Sequence, residues 1–206
     1  MKLVLKYGGT SISNTKNIHT ICKHVSTLSK KHQIAIVCSA TSGTTDDLIE
    51  ISESIKKENK SKAEQLASKI INRHNQLAKQ TIKKSDIQKK LLVKLNEDFT
   101  ELLALIDGLV LLGEVTSRSM DYLISFGERL SIKLIAAAIN DLSKKSISLT
   151  GKEVGIVTDS NFGESKPLID TTRLRVSKSI DNLFSKKVIP VIGGFSGADQ
   201  HGHTTT

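Results

Sequence analysis

Lys6, Gly8, Gly9 and Thr10 crowd into one short stretch directly after the apolar run Leu3–Leu5. Residues of these types suit one kind of chemistry, the holding of negative oxygen. Glycines let backbone N–H groups approach an oxyanion, a helix N-terminus adds partial positive charge, and a lysine adds a full one. The pattern predicts a strand over Leu3–Leu5 ending at Lys6, a turn at Gly8–Gly9, and a helix N-cap at Thr10 or Ser11. A P-loop is excluded, because its lysine follows the second glycine of a longer loop. A solvated lysine beside a tight turn explains the same residues, so this stretch alone leaves both readings open.

A second junction of the same kind follows. Ile34–Cys38 reads as a buried strand that runs into Ser39-Ala-Thr-Ser-Gly-Thr-Thr-Asp-Asp47. Thr44 or Thr45 can cap the next helix, with Asp46 and Asp47 favoured in its first turn. Thr45 alone is more often a cap than a ligand, and Ser39 alone a strand-end hydroxyl. Further on, Ser125-Phe-Gly-Glu-Arg-Leu-Ser131 interrupts a helical pattern with Gly127, which costs about 1 kcal/mol against Ala and so calls for a packing or ligand reason. Glu128 beside it is, by itself, a first-turn carboxylate if the helix restarts there. His74 has no partner at ligand spacing and reads as a packing histidine.

The elements that must position these residues alternate. Strands are expected at Leu3–Leu5, Gln33–Ser39, Lys145–Leu149 and Val188–Ile192, each ending in a polar loop. Helices are expected over Ser13–Leu28, Lys60–Lys83, from Ser85 through Leu103, from Glu114 to Ile139, and from Asp170 or Thr171 to about Lys186. The fold class is therefore α/β: a three-layer α/β/α sandwich with a mainly parallel sheet, a long helical middle section, and ligands at the strand C-termini. The last segment, Gly193 to Thr206, reads as a glycine-rich loop with nothing to return to, so either the tail is disordered or the chain is one lobe of a larger protein.

Composition narrows the class further. Aromatic residues make up 3% and Trp is absent, so the core is aliphatic. Cys22 and Cys38 have no metal-like spacing and favour a reducing cytosol over a disulfide framework. The chain reads as soluble: Met1 runs straight into a strand, and Leu105–Leu112 carries Asp107 and falls short of the roughly 20 residues that cross a bilayer. Net charge is +9, from 30 Lys+Arg against 21 Asp+Glu, which raises nucleic acid as a partner. Only five of those 30 are arginines, and no aromatic residues interleave with the lysines to stack bases, so a specific nucleic-acid partner is not expected.

Four segments in order resemble the aspartokinase branch of the amino-acid kinase family: Lys6-Tyr-Gly-Gly-Thr-Ser11, then Ser39-Ala40 with Gly43 and Thr45, then Ser125 to Ser131, then Gly193 to Gly197 followed by Gly202 and Thr204–Thr206. Thr158-Asp-Ser-Asn-Phe-Gly163 is similar to a further family loop. The family's threonine run leads into Leu-Gly-Arg-Gly-Gly-Ser-Asp, and this sequence stops just before it. Residues 1–206 are thus expected to be the N-terminal, amino-acid-binding lobe, without the nucleotide lobe and ACT modules.

What the resemblance implies is phosphoryl transfer from ATP, as its Mg²⁺ complex, to the side-chain carboxylate of L-aspartate, the first step toward lysine, threonine and methionine. Lys6 would face the transferring phosphoryl oxygens, with Gly8 and Gly9 as backbone donors and Thr10 beside them at the nucleotide phosphate. Glu128 would take the α-amino group, Ser39 and Thr45 would hydrogen-bond the substrate, and Phe195 would lie in a loop lining the pocket. The arginine for the α-carboxylate would fall beyond Thr206. Asp159 is a further candidate that turn capping explains equally well. A cytoplasmic protein with no membrane partner is expected, and a homo-oligomer for the complete enzyme. Acetylglutamate, glutamate and carbamate kinases are the alternatives in class, and the Ser-Phe-Gly-Glu segment argues against them. A non-catalytic module for amino acids or polyanions is the alternative outside it.

Overall fold

The computed structural model describes residues 1–206. Its centre is a four-stranded parallel sheet made of β1 (Lys2–Tyr7), β2 (Gln33–Cys38), β3 (Ser146–Leu149) and β4 (Ile189–Gly193), in the order β1-β2-β4-β3. β2 and β4 are inner strands covered on both faces, which is why Ile34-Ala-Ile-Val-Cys38 and Ile189-Pro-Val-Ile-Gly193 are almost continuously apolar. β1 is an edge strand and alternates instead. Leu5 and Tyr7 pack on the core, while Lys2, Val4 and Lys6 lie on the opposite face. Pro190 is tolerated in an inner strand because the β2–β4 register begins only at Val191.

The connections are helical. α1 (Thr15–Leu28) and α5 (Ser117–Asp141) cover one face of the sheet, and α7 (Ile169–Ser185) lies on the other. α2 (Thr44–Lys56), α3 (Lys60–Thr81) and α4 (Ser85–Leu112) stack outward from α5 as an extra helical layer, the long middle section of the sequence. α5 is the axis of the molecule. Fifteen of its residues are buried, from Asp121 to Ile139, because helices touch it on nearly every side. α6 (Gly151–Val154) is a single turn closed by a capping box between Thr150 and Glu153. No helix is long and apolar enough to cross a membrane.

Three local expectations are corrected. Thr10 and Ser11 do not cap α1: they lie in a 3₁₀ turn over Gly9–Ile12, and the cap is Asn14, whose side chain accepts from the Asn17 N–H. Neither Thr44 nor Thr45 caps α2. Gly43 does so with φ +75°, a conformation that suits glycine, and Thr44 is the first helical residue. The last segment also has something to return to. β5 (Gly197–Ala198) pairs antiparallel with β6 (Thr204–Thr205), and the hairpin folds over the Asp199 carboxylate. That carboxylate accepts the N–H groups of His201 and His203, the Ser160 hydroxyl and the His203 ring. Burial pushes the Asp199 carboxyl up, but the His203 backbone and ring and the Ser160 hydroxyl outweigh it and hold it at about 2.

Candidate functional site

Three loops leave the C-terminal ends of β1, β2 and β4 and meet over the middle of α5. The contact depends on missing side chains. A Cβ on Gly9 would stand 2.8 Å from the Ala40 carbonyl oxygen, so only glycine lets the β1 loop lie on the β2 loop. From the other side, a Cβ on Gly127 would stand 2.8 Å from the Ala40 Cβ. One turn further along α5, Ser131 Oγ donates to the Ser39 carbonyl at 2.7 Å. The β2 loop is thus pinched between the first turn and the helix, which supplies the packing reason for Gly127. Replacing Gly127 with Ala gains about 1 kcal/mol of helix propensity but overpacks this contact at roughly 1–3 kcal/mol. We expect a lower Tm for Gly127→Ala and disturbed amide resonances at Ser39–Gly43; a raised Tm with those resonances unmoved would contradict the packing account.

Glu128 stands on the same turn and is 5% exposed. α5 runs unbroken through it, so its role is not that of a first-turn carboxylate in a restarted helix. Its Oε2 accepts the Phe195 N–H at 2.9 Å, and the Gly194 and Ser196 amides also face it. Gly193 makes this possible, because a Cβ there would sit 2.8 Å from Glu128 Oε2. Burial raises the Glu128 carboxyl above the usual carboxylate range, and the three backbone amides reduce that rise without cancelling it. No cation in the chain pairs with it: the ion pairs of the structure all involve other carboxylates. A buried carboxylate supported only by amides is a place for an incoming positive charge.

The other predicted residues divide. Ser39 and Thr45 lie half-buried on the β2 loop and at the start of α2, on the same strand-end edge as Glu128. Phe195 lies in the loop that grips Glu128, but through its backbone; the residue is 58% exposed. Gly9 makes the close approach described above, whereas Gly8 has open space around it. The carbonyl of the exposed Thr10 accepts from Ser13 and Asn17, tying the turn to α1. Asp159 Oδ1 accepts the Asn161 and Lys166 N–H groups, the turn-capping role. Lys6 is exposed, is opposite Val37 in the sheet register and forms no ion pair. It lies on the α7 face of β1, and none of the larger clefts of the molecule brings it together with Glu128 and Thr45.

The partners of some supporting residues carried no local signal in the sequence, because they lie on other helices. Asp47, nearly buried in the first turn of α2, pairs with Lys69 and with Arg73, each at 2.8 Å. Asp98 on α4 pairs with Arg129 and Lys133 on α5, and Arg129 also reaches Glu101 and lies 4.3 Å over the Phe126 ring. Asp121 on α5 accepts the Gly163 and Thr206 N–H groups, which brings the polar loop and the end of the tail together. An alternation or a helical period reveals faces, not partners across layers.

Cys22 and Cys38 are both buried and free. Burial is the main cause that pushes each thiol up to about 12, with the Glu128 charge adding to the effect at Cys38. At pH 8 the thiolate fraction is negligible. The folded chain is therefore expected to resist a disulfide-exchange reagent at pH 8 and to release two thiols when unfolded in guanidinium; stoichiometric labelling of the folded chain would contradict the burial.

The sequence model described as "Amino acid kinase family" matches residues 1–206. An aspartokinase of Helicobacter pylori (strain ATCC 700392 / 26695) is 30% identical over 208 residues, covering 100% of this chain and 36% of the relative. A chloroplastic aspartokinase 1 of Arabidopsis thaliana is 29% identical over 198 residues, covering 94% of this chain and 33% of the relative. The chain thus spans about a third of the length of the curated relatives it matches. Among solved structures, E. coli aspartokinase III in complex with aspartate and ADP superposes with a TM-score of 0.87 at 18% identity, covering all of this chain and 43% of that one. The aspartate kinase of Clostridium acetobutylicum gives a TM-score of 0.70 at 17% identity, with 100% and 42% covered. These two likenesses speak to the fold.

Proposed function

This chain belongs to the amino acid kinase family, and we propose that residues 1–206 form the amino-acid-binding lobe of an aspartate kinase, which transfers the terminal phosphoryl group of ATP to the side-chain carboxylate of L-aspartate. The observation that carries the reading is Glu128: a buried carboxylate at the C-terminal edge of a parallel sheet, gripped by backbone amides and unpaired with any cation. An α-ammonium group is the charge it lacks. The half-buried Ser39 on the neighbouring loop and Thr45 in the first turn of α2 carry hydroxyls of the type that would hydrogen-bond the rest of the amino acid.

The chemistry asks little else of this lobe. A carboxylate is already ionised at pH 7, so no general base is required. One of its oxygens forms a bond to the terminal phosphorus as the bond to the bridging oxygen breaks, and the electron pair leaves with ADP. The protein contributes position and charge neutralisation. Lys6 supplies an uncommitted positive charge, and the Gly8–Gly9 backbone supplies donors at the end of β1. The nucleotide brings its own Mg²⁺, which suits a cation that keeps most of its waters and binds phosphates.

The test is ADP formation by the complete enzyme with each candidate acceptor. Aspartate should support turnover and N-acetylglutamate should not, because acetylation removes the positive charge that Glu128 is placed to receive. Turnover with N-acetylglutamate but not with aspartate would overturn the acceptor assignment. Absence of turnover with both, together with RNA binding at physiological salt, would favour a polyanion-binding module instead.

A further inference from the structure

We propose that His74, on α3, is a positioning residue for the substrate loop: it fixes the Thr41–Thr44 turn, which leads into Thr45, through a hydrogen-bond chain that has a single proton direction. The proposal rests on reading that loop as the aspartate loop. The direction follows from the donors and acceptors alone. His74 is fully buried, and its Nδ1 lies 2.9 Å from the Ile70 carbonyl oxygen. A carbonyl only accepts, so Nδ1 carries the hydrogen. The ring has no carboxylate partner and adjoins the Arg73 guanidinium in sequence, so burial and a like charge both keep it neutral. Its Nε2 is then a bare lone pair, 3.0 Å from Thr41 Oγ1.

Thr41 must therefore donate to His74. A threonine has one hydroxyl hydrogen, so the 2.7 Å contact between Thr41 and Thr44 runs from Thr44 to Thr41. Arg73 Nη1 then donates to the remaining acceptor site of Thr44 at 3.0 Å, and Arg73 is itself held by Asp47 of α2. The chain reads Arg73 to Thr44 to Thr41 to His74 to the Ile70 carbonyl. Two adjacent residues of α3 thus hold both ends of the turn that Gly43 makes.

Two consequences bear on function. The Thr44 hydroxyl is consumed inside the protein, which leaves half-buried Thr45 as the threonine of this pair with a hydroxyl open to a ligand. His74 must also be the Nδ1–H tautomer, the minor form of a free neutral imidazole. A histidine that merely fills space has no such requirement.

The first test uses this chain as it stands, with ¹⁵N-labelled imidazoles: His74 should show a protonated Nδ1 and an unprotonated Nε2 at pH 7. An Nε2–H tautomer, or a doubly protonated ring, would overturn the proposal whatever the enzyme does. The second test uses the complete enzyme. His74→Ala and Thr41→Val should each raise the aspartate KM about tenfold, the worth of one net hydrogen bond, with kcat little changed. His74→Gln, whose amide can donate to Ile70 and accept from Thr41, should restore most of the affinity. A KM unmoved by Thr41→Val, or an equal loss in the Gln and Ala variants, would reduce His74 to packing. If the unaltered enzyme fails to use aspartate while the tautomer is as stated, the substrate reading has failed and the loop geometry has not.

Discussion

Replacing Lys6 with Ala is expected to lower kcat of the complete enzyme by about 10²–10³-fold while the aspartate KM changes little, the size of effect seen when one charge-stabilising donor is removed from an acyl or phosphoryl centre. The side chain is free to meet an incoming anion. It lies at the C-terminal end of β1, beside Val37 in the register, and it makes no ion pair within the chain that an anion would have to displace. On the proposed reading its charge would matter where negative oxygen accumulates during transfer, not where the amino acid docks. Lys6→Arg should recover only part of the loss, because a guanidinium is a planar fork and not a point charge. Steady-state kinetics on the three proteins decide the matter. A tenfold rise in KM with kcat intact would move Lys6 from the reacting group to the substrate.

The second large effect is the converse. Glu128→Gln should raise the aspartate KM by about 10–100-fold, the worth of a hydrogen bond to a charged group, and leave kcat within a few fold. Gln keeps one oxygen for the Phe195 N–H, so the β4 loop can hold its place while the negative charge is lost. The pH dependence has a defined sign. Burial raises the Glu128 carboxyl, so acidification should weaken aspartate binding at a pH above that of an ordinary glutamate, and the Gln variant should lose this component. The same shift affects folding: the native state holds this proton over a window in which the unfolded chain has released it, so the contribution of Glu128 to stability falls as pH rises through that window. Equal loss of kcat and kcat/KM in Glu128→Gln would contradict the division of labour between the two residues.

The strands and their polar ends were legible in the sequence because burial writes itself into composition. β2 and β4 are inner strands and read as solid apolar runs, and all four strand positions were recovered to within a few residues. The ligand edge followed from the same logic, since every one of those strands runs directly into Gly, Ser or Thr: Gly8, Ser39, Thr150 and Gly194. Caps were less legible. Thr10, Thr44 and Thr45 look like caps by type, but Asn14 and Gly43 hold those places, because the turn after β1 spends Thr10 and Ser11 in a 3₁₀ turn and the turn after β2 needs positive φ. Long-range partners were not legible at all. His74 was expected to be a satisfied packing histidine, and it is satisfied, yet nothing near it in sequence announces Thr41. The final hairpin was missed because β5 and β6 are two residues each, too short for any alternation to register.

The resemblance placed Glu128, Ser39, Thr45 and Phe195 near one another, and the fold does gather their loops around the middle of α5. Lys6 is the member that the fold does not bring into contact with the others, so the central claim turns on it. A crystal structure of the complete enzyme with L-aspartate, ADP and a phosphoryl mimic measures this directly. The account predicts the aspartate ammonium against Glu128 and the Lys6 Nζ within about 3 Å of the mimic's oxygens, a hydrogen-bond distance. Aspartate bound away from Glu128, with the Lys6 ammonium still in solvent on the α7 face, would contradict it.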